Sequence, residues 1–245
     1  MHKIVDERQI ERSQPERKQP TALKRLIEND LIRRVSDEEY RQKVRRVYAG
    51  PQGALLSTAS MLSLHIPLGE RLFRKRKFDL RGMRSILDVG SGAGQIAQHL
   101  LKYSDAQTEI YCTDLSQPML QRARLRLKST RPRFVTADIV HLPFENNFFD
   151  GITCGYVLEH LADPRPGLAE LSRVLRPGGR MLLLVTEDSL AGAWTSRFWS
   201  CRTHNRQELL QICADVGIPC KKELWYTKMH EAMRAGGICL ELQKQ

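Results

Sequence analysis

The sequence lacks a long apolar run. A membrane-spanning helix needs about 20 consecutive apolar residues, and the most apolar stretch, residues 54–68, is interrupted by serine, threonine, histidine and proline. The N-terminus is mostly polar and lacks the apolar segment of a signal peptide. Six cysteines occur without a CxxC pair, which indicates neither a zinc site nor a disulfide framework. We therefore expect a cytoplasmic protein with reduced thiols and no metal site.

Basic residues far outnumber acidic residues in the first third of the chain. Residues 1–85 contain 20 Lys and Arg against 11 Asp and Glu, and the whole 245-residue chain has a net charge of +11. This basic excess has three interpretations, namely a solvated helical surface, attraction to anionic membrane lipid, and RNA binding. RNA is the least favoured, because residues 1–85 show no recognisable RNA-binding module and no interleaving of aromatic with basic residues.

The hydrophobic pattern divides the chain near Arg84. Residues 1–20 are polar and predict a flexible N-terminus. Residues 21–84 have helical spacing and predict a basic helical extension, which we expect to cover the substrate as a lid. In residues 85–245 strands alternate with helices, which predicts an α/β fold with a Rossmann-like doubly wound sheet. The predicted strands are 85–89, 109–113, 133–136, 149–154, 180–185, 220–227 and 237–243, the last two forming an antiparallel hairpin.

A glycine-rich turn follows the first predicted strand. Gly90, Gly92 and Gly94 allow the backbone to bend sharply and to approach a ligand closely. The next helix directs its N-terminal amides at that turn, and Asp88 adds a carboxylate at the end of the strand. The turn alone does not exclude a dehydrogenase, because Gly92, Gly94 and Ala97 also satisfy the dinucleotide fingerprint GxGxxA.

Two further acidic residues end the second and third predicted strands. Asp114 follows Asp88 by 26 residues, where a carboxylate can accept both hydroxyls of a ribose, although it could also serve only as a helix cap. Asp138 offers a carboxylate to an amino group, and Ile139 offers an apolar side chain to an aromatic ring. Together these residues predict a pocket for an adenosine that carries a substituent at its 5′ end.

Six motifs in order carry a resemblance to a known family. They are LDVGSGAG (87–94), CTDLS (112–116), ADIVHLPF (137–144), FDGITC (149–154), VLEHLADP (157–164) and VLRPGGR (174–180). With these motifs, residues 86–185 resemble the class I S-adenosylmethionine-dependent methyltransferases, in particular the type-11 subgroup that includes ubiquinone- and menaquinone-biosynthesis methyltransferases. The resemblance implies S-adenosyl-L-methionine as cofactor and S-adenosyl-L-homocysteine as product. It also implies a seven-stranded sheet of order 3-2-1-4-5-7-6, mostly parallel, with residues 85–245 as the methyltransferase domain.

The resemblance implies a role for each matched position. The methionine part of the cofactor would be held by Asp88, Gly90, Ser91, Gly92 and Gly94, the ribose by Asp114, and the adenine by Leu115, Asp138 and Ile139. Gly155 and Tyr156 would lie along the methionine part, next to the substrate.

The candidate catalytic residues are His160 and Glu159, just past the fourth predicted strand. Methyl transfer from a sulfonium is an in-line displacement, and it needs a base only when the nucleophile must lose a proton. His160 could equally hold its loop by hydrogen bonds. Trp194, Phe198 and Trp199 either line an apolar substrate pocket or pack against the sheet.

The sequence therefore predicts methyl transfer to a small-molecule acceptor that is quinone-like or lipid-like. Peripheral membrane contact would then run through the basic N-terminal region. The alternatives are an RNA or protein methyltransferase and a catalytically inactive partner protein that binds S-adenosylmethionine. Against RNA, residues 154–157 read CGYV where an Asn-Pro-Pro-Tyr type motif would be expected.

Overall fold

The computed structural model describes residues 65–189, residue 192 and residues 201–245. The predicted flexible N-terminus, residues 21–64 of the predicted extension, and Trp194, Phe198 and Trp199 lie outside these described residues. No helix within the described segments is both long enough and apolar enough to cross a bilayer.

Strands and helices alternate along the described chain. The strands are β1 (Ser85–Val89), β2 (Glu109–Asp114), β3 (Pro132–Thr136), β4 (Phe149–Gly155), β5 (Leu175–Val185), β6 (Cys220–Glu223) and β7 (Ile238–Gln243). The helices are α1 (His65–Arg74), α2 (Ala97–Tyr103), α3 (Gln117–Leu127), α4 (Arg165–Val174), α5 (Arg206–Asp215) and α6 (Lys228–Ala232), with a 3₁₀ turn at Leu158–His160.

The seven strands form one sheet in the order β3-β2-β1-β4-β5-β7-β6. The neighbouring pairs among the first five strands are parallel, whereas β7 runs antiparallel to both β5 and β6. The predicted fold class, strand order and C-terminal antiparallel pair are therefore confirmed. All five residues of β1 are buried, as expected for a central parallel strand covered on both faces.

Helices cover both faces of the sheet and form two apolar cores. One core includes Leu168 and Leu171 of α4 and Ile212 of α5. The other includes Leu72 and Phe73 of α1 and Leu100 of α2. Phe78, Leu80 and Met83, which lead from α1 into β1, belong to this second core as well. Residues 72–83 therefore contribute to a core on the sheet itself, although the sequence pattern changes only at residue 85.

Strand β5 begins earlier than predicted. The sequence favours a turn at residues 177–179, yet Leu175 already pairs with Phe149 of β4. The strand continues because Gly178 N donates to Lys244 O at 2.9 Å and Lys244 N donates to Gly179 O at 3.0 Å. The register with β4 shifts along this stretch, so the Pro-Gly-Gly sequence forms an irregularity within the strand.

Strand β6 is shorter than predicted, because the chain leaves the sheet after Glu223. Thr227, predicted as the last residue of the strand, is the N-cap of α6, where its side chain accepts a hydrogen bond from His230 N. The two final strands are thus joined by a short helix.

Candidate functional site

The predicted site residues follow the carboxyl ends of neighbouring parallel strands. Val89 at the end of β1 is level with Thr113 of β2 and Cys154 of β4, and Asp114 is level with Thr136 of β3. Because parallel strands end at the same edge of a sheet, the structure gathers the turns after these strands at that edge. This is the edge at which open α/β sheets bind ligands.

Asp88 is completely buried beneath this edge. Thr153 Oγ1 donates a hydrogen bond of 2.7 Å to Asp88 Oδ1, whereas Oδ2 has no hydrogen-bond partner. Burial raises the pKa of the Asp88 carboxyl to about 7. A buried acceptor without a partner is rare in folded proteins, and a ligand ammonium or other donor would satisfy it.

Two glycines of the turn are required by the packing around them. Gly90 has φ +64°, and a Cβ there would lie 2.2 Å from Val157 Cγ2. Gly94 has φ +85°, and a Cβ there would lie 3.1 Å from Leu127 Cδ1 of α3. The absence of both side chains lets the turn lie close to the β4 end and to α3. Ser91 fixes the turn further, because its Oγ donates to Asp88 O at 2.8 Å.

Asp114 connects the glycine-rich turn to the start of α3. Its Oδ2 accepts from Gly92 N at 2.9 Å and its Oδ1 accepts from Ser116 N at 2.8 Å. Burial raises the pKa of Asp114, and these two amide hydrogen bonds oppose that rise. Ser116 is the N-cap residue of α3 but its side chain makes no capping hydrogen bond. Each oxygen of Asp114 keeps a second lone pair, so the carboxylate can cap the helix and still accept ribose hydroxyls.

The residues after β3 and β2 differ in exposure. Asp138 is partly exposed, and its Oδ1 accepts from Val140 N at 3.2 Å. Ile139 is only 6% exposed and belongs to the core that contains α4. Leu115 beside Asp114 is partly exposed. Asp138 and Leu115 can therefore reach a ligand, while Ile139 contributes mainly to the apolar support behind it.

Tyr156 continues from β4 with a strained backbone. Its φ is +59°, a region that non-glycine residues seldom adopt and that often marks functional sites. The preceding Gly155 cannot carry a side chain, since a Cβ would lie 2.6 Å from Ile96 Cδ1. The Tyr156 hydroxyl lies 3.2 Å from the hydroxyl of Tyr226, which follows β6. Burial raises the pKa of both phenols, so both are neutral at physiological pH.

Glu159 and His160 occupy the 3₁₀ turn after β4. Glu159 is 1% exposed, and its Oε1 accepts from Thr186 N at 2.7 Å. Burial raises the pKa of Glu159 to about 7. Burial, assisted by the positive charge of Arg202, lowers the pKa of His160 to about 4. His160 is thus a neutral and weak proton acceptor, whereas Glu159 has a pKa near neutrality and its Oε2 is buried without a hydrogen-bond partner.

Two site residues were missed by the sequence reasoning. Thr153 could have been found, because a polar residue in an otherwise apolar strand pairs in register with Asp88. No sequence pattern indicates Tyr226 as a site residue, because its contact with Tyr156 depends on the path of the chain after β6. Within the described residues, no three His, Cys, Asp or Glu side chains are grouped as a metal-ligand set.

Comparison with known sequences matches the same segment. Residues 87–183 fit the family model described as Methyltransferase domain. The demethylmenaquinone methyltransferase of Deinococcus radiodurans is 34% identical over 161 residues, which cover 64% of this chain and 66% of that protein. The ubiquinone/menaquinone biosynthesis C-methyltransferase of Idiomarina loihiensis is 33% identical over 121 residues, covering 46% and 48%. The matched segments thus span from about half to two thirds of these relatives' length.

Solved structures support the fold over more of the chain. Magnesium protoporphyrin IX methyltransferase from Synechocystis, with bound S-adenosylhomocysteine, has a TM-score of 0.64 at 15% identity and covers 84% of this chain and 100% of its own. A putative methyltransferase of Haloferax volcanii, in complex with the Trm112 activator, has a TM-score of 0.64 at 20% identity and covers 81% and 96%. Residues 87–183 therefore match a methyltransferase domain, and the matched part of this chain is similar to the ubiquinone and menaquinone C-methyltransferases.

Proposed function

We propose that this protein transfers a methyl group from S-adenosylmethionine to a small-molecule acceptor of quinone-like chemistry. The observation that carries the proposal is the buried Asp88 Oδ2 without a partner, at the strand edge where Asp114 and the glycine-rich turn also lie. A dinucleotide would instead bring a pyrophosphate to this turn, and a buried carboxylate beside a pyrophosphate would be repulsive.

The residues present fit the cofactor in three respects. Asp88 supplies a buried acceptor for the α-ammonium group of the methionine part. The turn at Gly90 lets the backbone approach closely, since no Cβ extends from it. Asp114, oriented by the amides of Gly92 and Ser116, supplies the acceptor for ribose hydroxyls. Leu115 and Asp138 would then contact the adenine, with Ile139 behind them.

The bound cofactor supplies a methyl group on a sulfonium, a carbon already activated for displacement. The protein's contribution is to hold the acceptor atom in line with that carbon and to exclude water. Gly155 and Tyr156 would contact the methionine part next to the acceptor, and the neutral phenols of Tyr156 and Tyr226 would orient an acceptor oxygen. Where the acceptor must lose a proton, His160 and Glu159 are the candidate bases, and the low pKa of His160 would make it effective only for an acidic hydroxyl.

The quinone-like acceptor is supported by the relatives rather than by the site geometry. The names of the Deinococcus and Idiomarina proteins give demethylmenaquinone, ubiquinone and menaquinone as their substrates or products.

Calorimetry followed by a labelling assay tests the proposal. We expect the full chain to bind S-adenosylmethionine and S-adenosylhomocysteine, and to transfer labelled methyl groups to reduced 1,4-naphthoquinone. Absence of cofactor binding would overturn the central claim. Cofactor binding with label appearing only in RNA or protein would show that the acceptor is a macromolecule and not a small molecule. Cofactor binding with no transfer to any cell-extract metabolite would favour a catalytically inactive partner protein.

A further inference from the structure

The connection between β6 and β7 exposes two methionines. Met229 is 65% exposed and Met233 is 68% exposed. They are four residues apart at α6, and this spacing puts both side chains on one side of the helix. Leu125, a further exposed large apolar residue, lies on α3, which packs against β2 and β3 at the other end of the sheet. Two exposed apolar side chains on one side of a helix form a small apolar surface.

Exposed cations lie next to these methionines in the chain and on the segment that contacts the start of the connection. The exposed cations nearest in the chain are Lys228 and Arg234, and exposed Arg74, Lys75 and Arg76 end helix α1. Lys77 Nζ donates a hydrogen bond of 2.5 Å to Trp225 O, which brings the basic run against the start of the connection. None of these five cations forms an ion pair with a carboxylate of the described residues, and Glu231 is the only acidic residue in the connection.

This surface adjoins the candidate cofactor site. Ile238 at the start of β7 pairs with Val185 at the end of β5, so the connection lies at the same sheet edge as the site. Tyr226 at the beginning of the connection reaches Tyr156 at the end of β4, with 3.2 Å between the hydroxyls. The His230 ring, between the two methionines in sequence, contacts the Tyr226 ring. The connection that carries the exposed methionines thus contacts Tyr156 through Tyr226, and Tyr156 is a residue proposed to lie next to the acceptor.

We propose that this methionine–cation patch, formed by residues 74–76, Lys228, Met229, Met233 and Arg234, docks the protein on an anionic lipid surface. The cations are attracted to anionic headgroups, and the two methionines enter the headgroup–acyl boundary. A nucleic acid fits less well, because Tyr226 is buried and Trp225 is partly buried, which leaves no fully exposed ring for base stacking. Docking would bring the site mouth to a bilayer that holds an apolar acceptor; that consequence alone rests on the proposed function.

Vesicle binding by the full chain tests the patch. We expect binding to vesicles of phosphatidylcholine mixed with phosphatidylglycerol, little binding to phosphatidylcholine alone, and release as ionic strength rises. Lys75→Gln with Lys228→Gln should weaken binding about 25-fold, because each cation near an anionic surface contributes roughly fivefold. Met229→Gln with Met233→Gln should weaken it about tenfold or more, through loss of apolar burial.

Matched variants on α3 are the control. Arg124→Gln with Lys128→Gln removes the same charge, and Leu125→Gln removes an exposed apolar side chain, all far from the patch. These should change vesicle binding by no more than about twofold, since the lipid field falls off within a Debye length. Equal losses from α3 and patch variants, or no vesicle binding at all, would overturn the proposal. So would patch variants that weaken single-stranded RNA binding while vesicle binding persists. Calorimetry with S-adenosylhomocysteine on the same variants tests the proposed function separately.

Discussion

Thr153 Oγ1 donates a hydrogen bond to Asp88 Oδ1 across the paired strands β4 and β1, and the Ser91 hydroxyl and the Ala97 amide also favour the ionised carboxyl, while Oδ2 makes no hydrogen bond like that of Oδ1. Burial opposes these groups more strongly, so the pKa of Asp88 rises to about 7. The acid at the bottom of the site is therefore one that a cationic ligand can ionise by binding.

Cofactor affinity should consequently depend on pH around neutrality. An ammonium group prefers ionised Asp88, so binding below pH 7 must first remove a proton. We expect the affinity for S-adenosylhomocysteine to rise with pH and to level off above about pH 7, with a slope below that pH of up to tenfold per unit. Isothermal titration calorimetry across this range measures it.

One variant of Asp88 and one of Thr153 test whether ionisation of Asp88 causes this pH dependence. Asp88→Asn should weaken binding and abolish the pH dependence. Thr153→Val removes the hydroxyl that stabilises the carboxylate, so the rise in affinity should move to higher pH. An unchanged profile in Asp88→Asn would contradict the assignment of Asp88 to the ammonium group.

Asp114 should matter for ribose binding more than for folding. In Asp114→Asn the remaining oxygen can accept from only one of the two amides, so the unfolding midpoint is measured beside the affinity to separate a loss of binding from a loss of folding. We expect affinity for S-adenosylhomocysteine to fall by about tenfold to 100-fold, the effect of losing one charge-assisted hydrogen-bonding group. Asp163→Asn, an exposed carboxylate whose Oδ1 accepts from Arg165 N, is the matched control and should bind normally. If Asp114→Asn binds S-adenosylhomocysteine with full affinity, Asp114 serves only to cap the helix and does not bind the ribose.

Gly90→Ala should destabilise the fold by about 2 kcal/mol or more, because it combines a positive φ with a Cβ 2.2 Å from Val157 Cγ2. Val157→Ala removes the obstructing methyl groups. The double variant Gly90→Ala/Val157→Ala should therefore be more stable than the sum of the single effects. Urea denaturation gives the coupling energy, and simple additivity would show that Val157 is not the obstacle.

Glu159 should make the protein less stable as pH rises. Its pKa in the folded state is raised from 4.5 to about 7, so folding retains a proton that the unfolded chain releases. Stability is then lost between about pH 4.5 and 7, by up to about 3 kcal/mol for a group shifted this far. Glu159→Gln keeps an oxygen for Thr186 N and should remove this part of the slope. Unfolding midpoints of the wild-type protein and of Glu159→Gln at pH 5 and pH 8 test this prediction. If the midpoint changes equally between the two pH values in both proteins, the raised pKa of Glu159 is contradicted.

The central sheet could be predicted because each strand there has a local cause. Residues 85–89 are apolar except for Asp88 and are followed by the glycine-rich turn, and β1 has those bounds. The strand order, by contrast, came from the family resemblance. The start of β5 could not be predicted, since residues 178–179 extend the strand only by bonding to Lys244, more than 60 residues away in the chain.

The candidate site was predictable to the extent that its residues follow strand ends. Asp88, Asp114 and Asp138 are visible as acids at those positions. Their actual environments are tertiary: the burial of Glu159 depends on Thr186, and the contact of Tyr156 depends on Tyr226. A linear pattern shows that a carboxyl group exists, but its pKa and its partners depend on elements that meet only in the folded state.

The insertion of β7 between β5 and β6 makes β6 dependent on β7. Strand β6 pairs with β7 alone, so β6 is joined to the sheet only through residues 238–243. Without β7, the backbone of residues 180–185 is an open apolar edge, the kind of surface that pairs with other chains. A chain shortened before residue 238 should therefore aggregate rather than form a smaller domain.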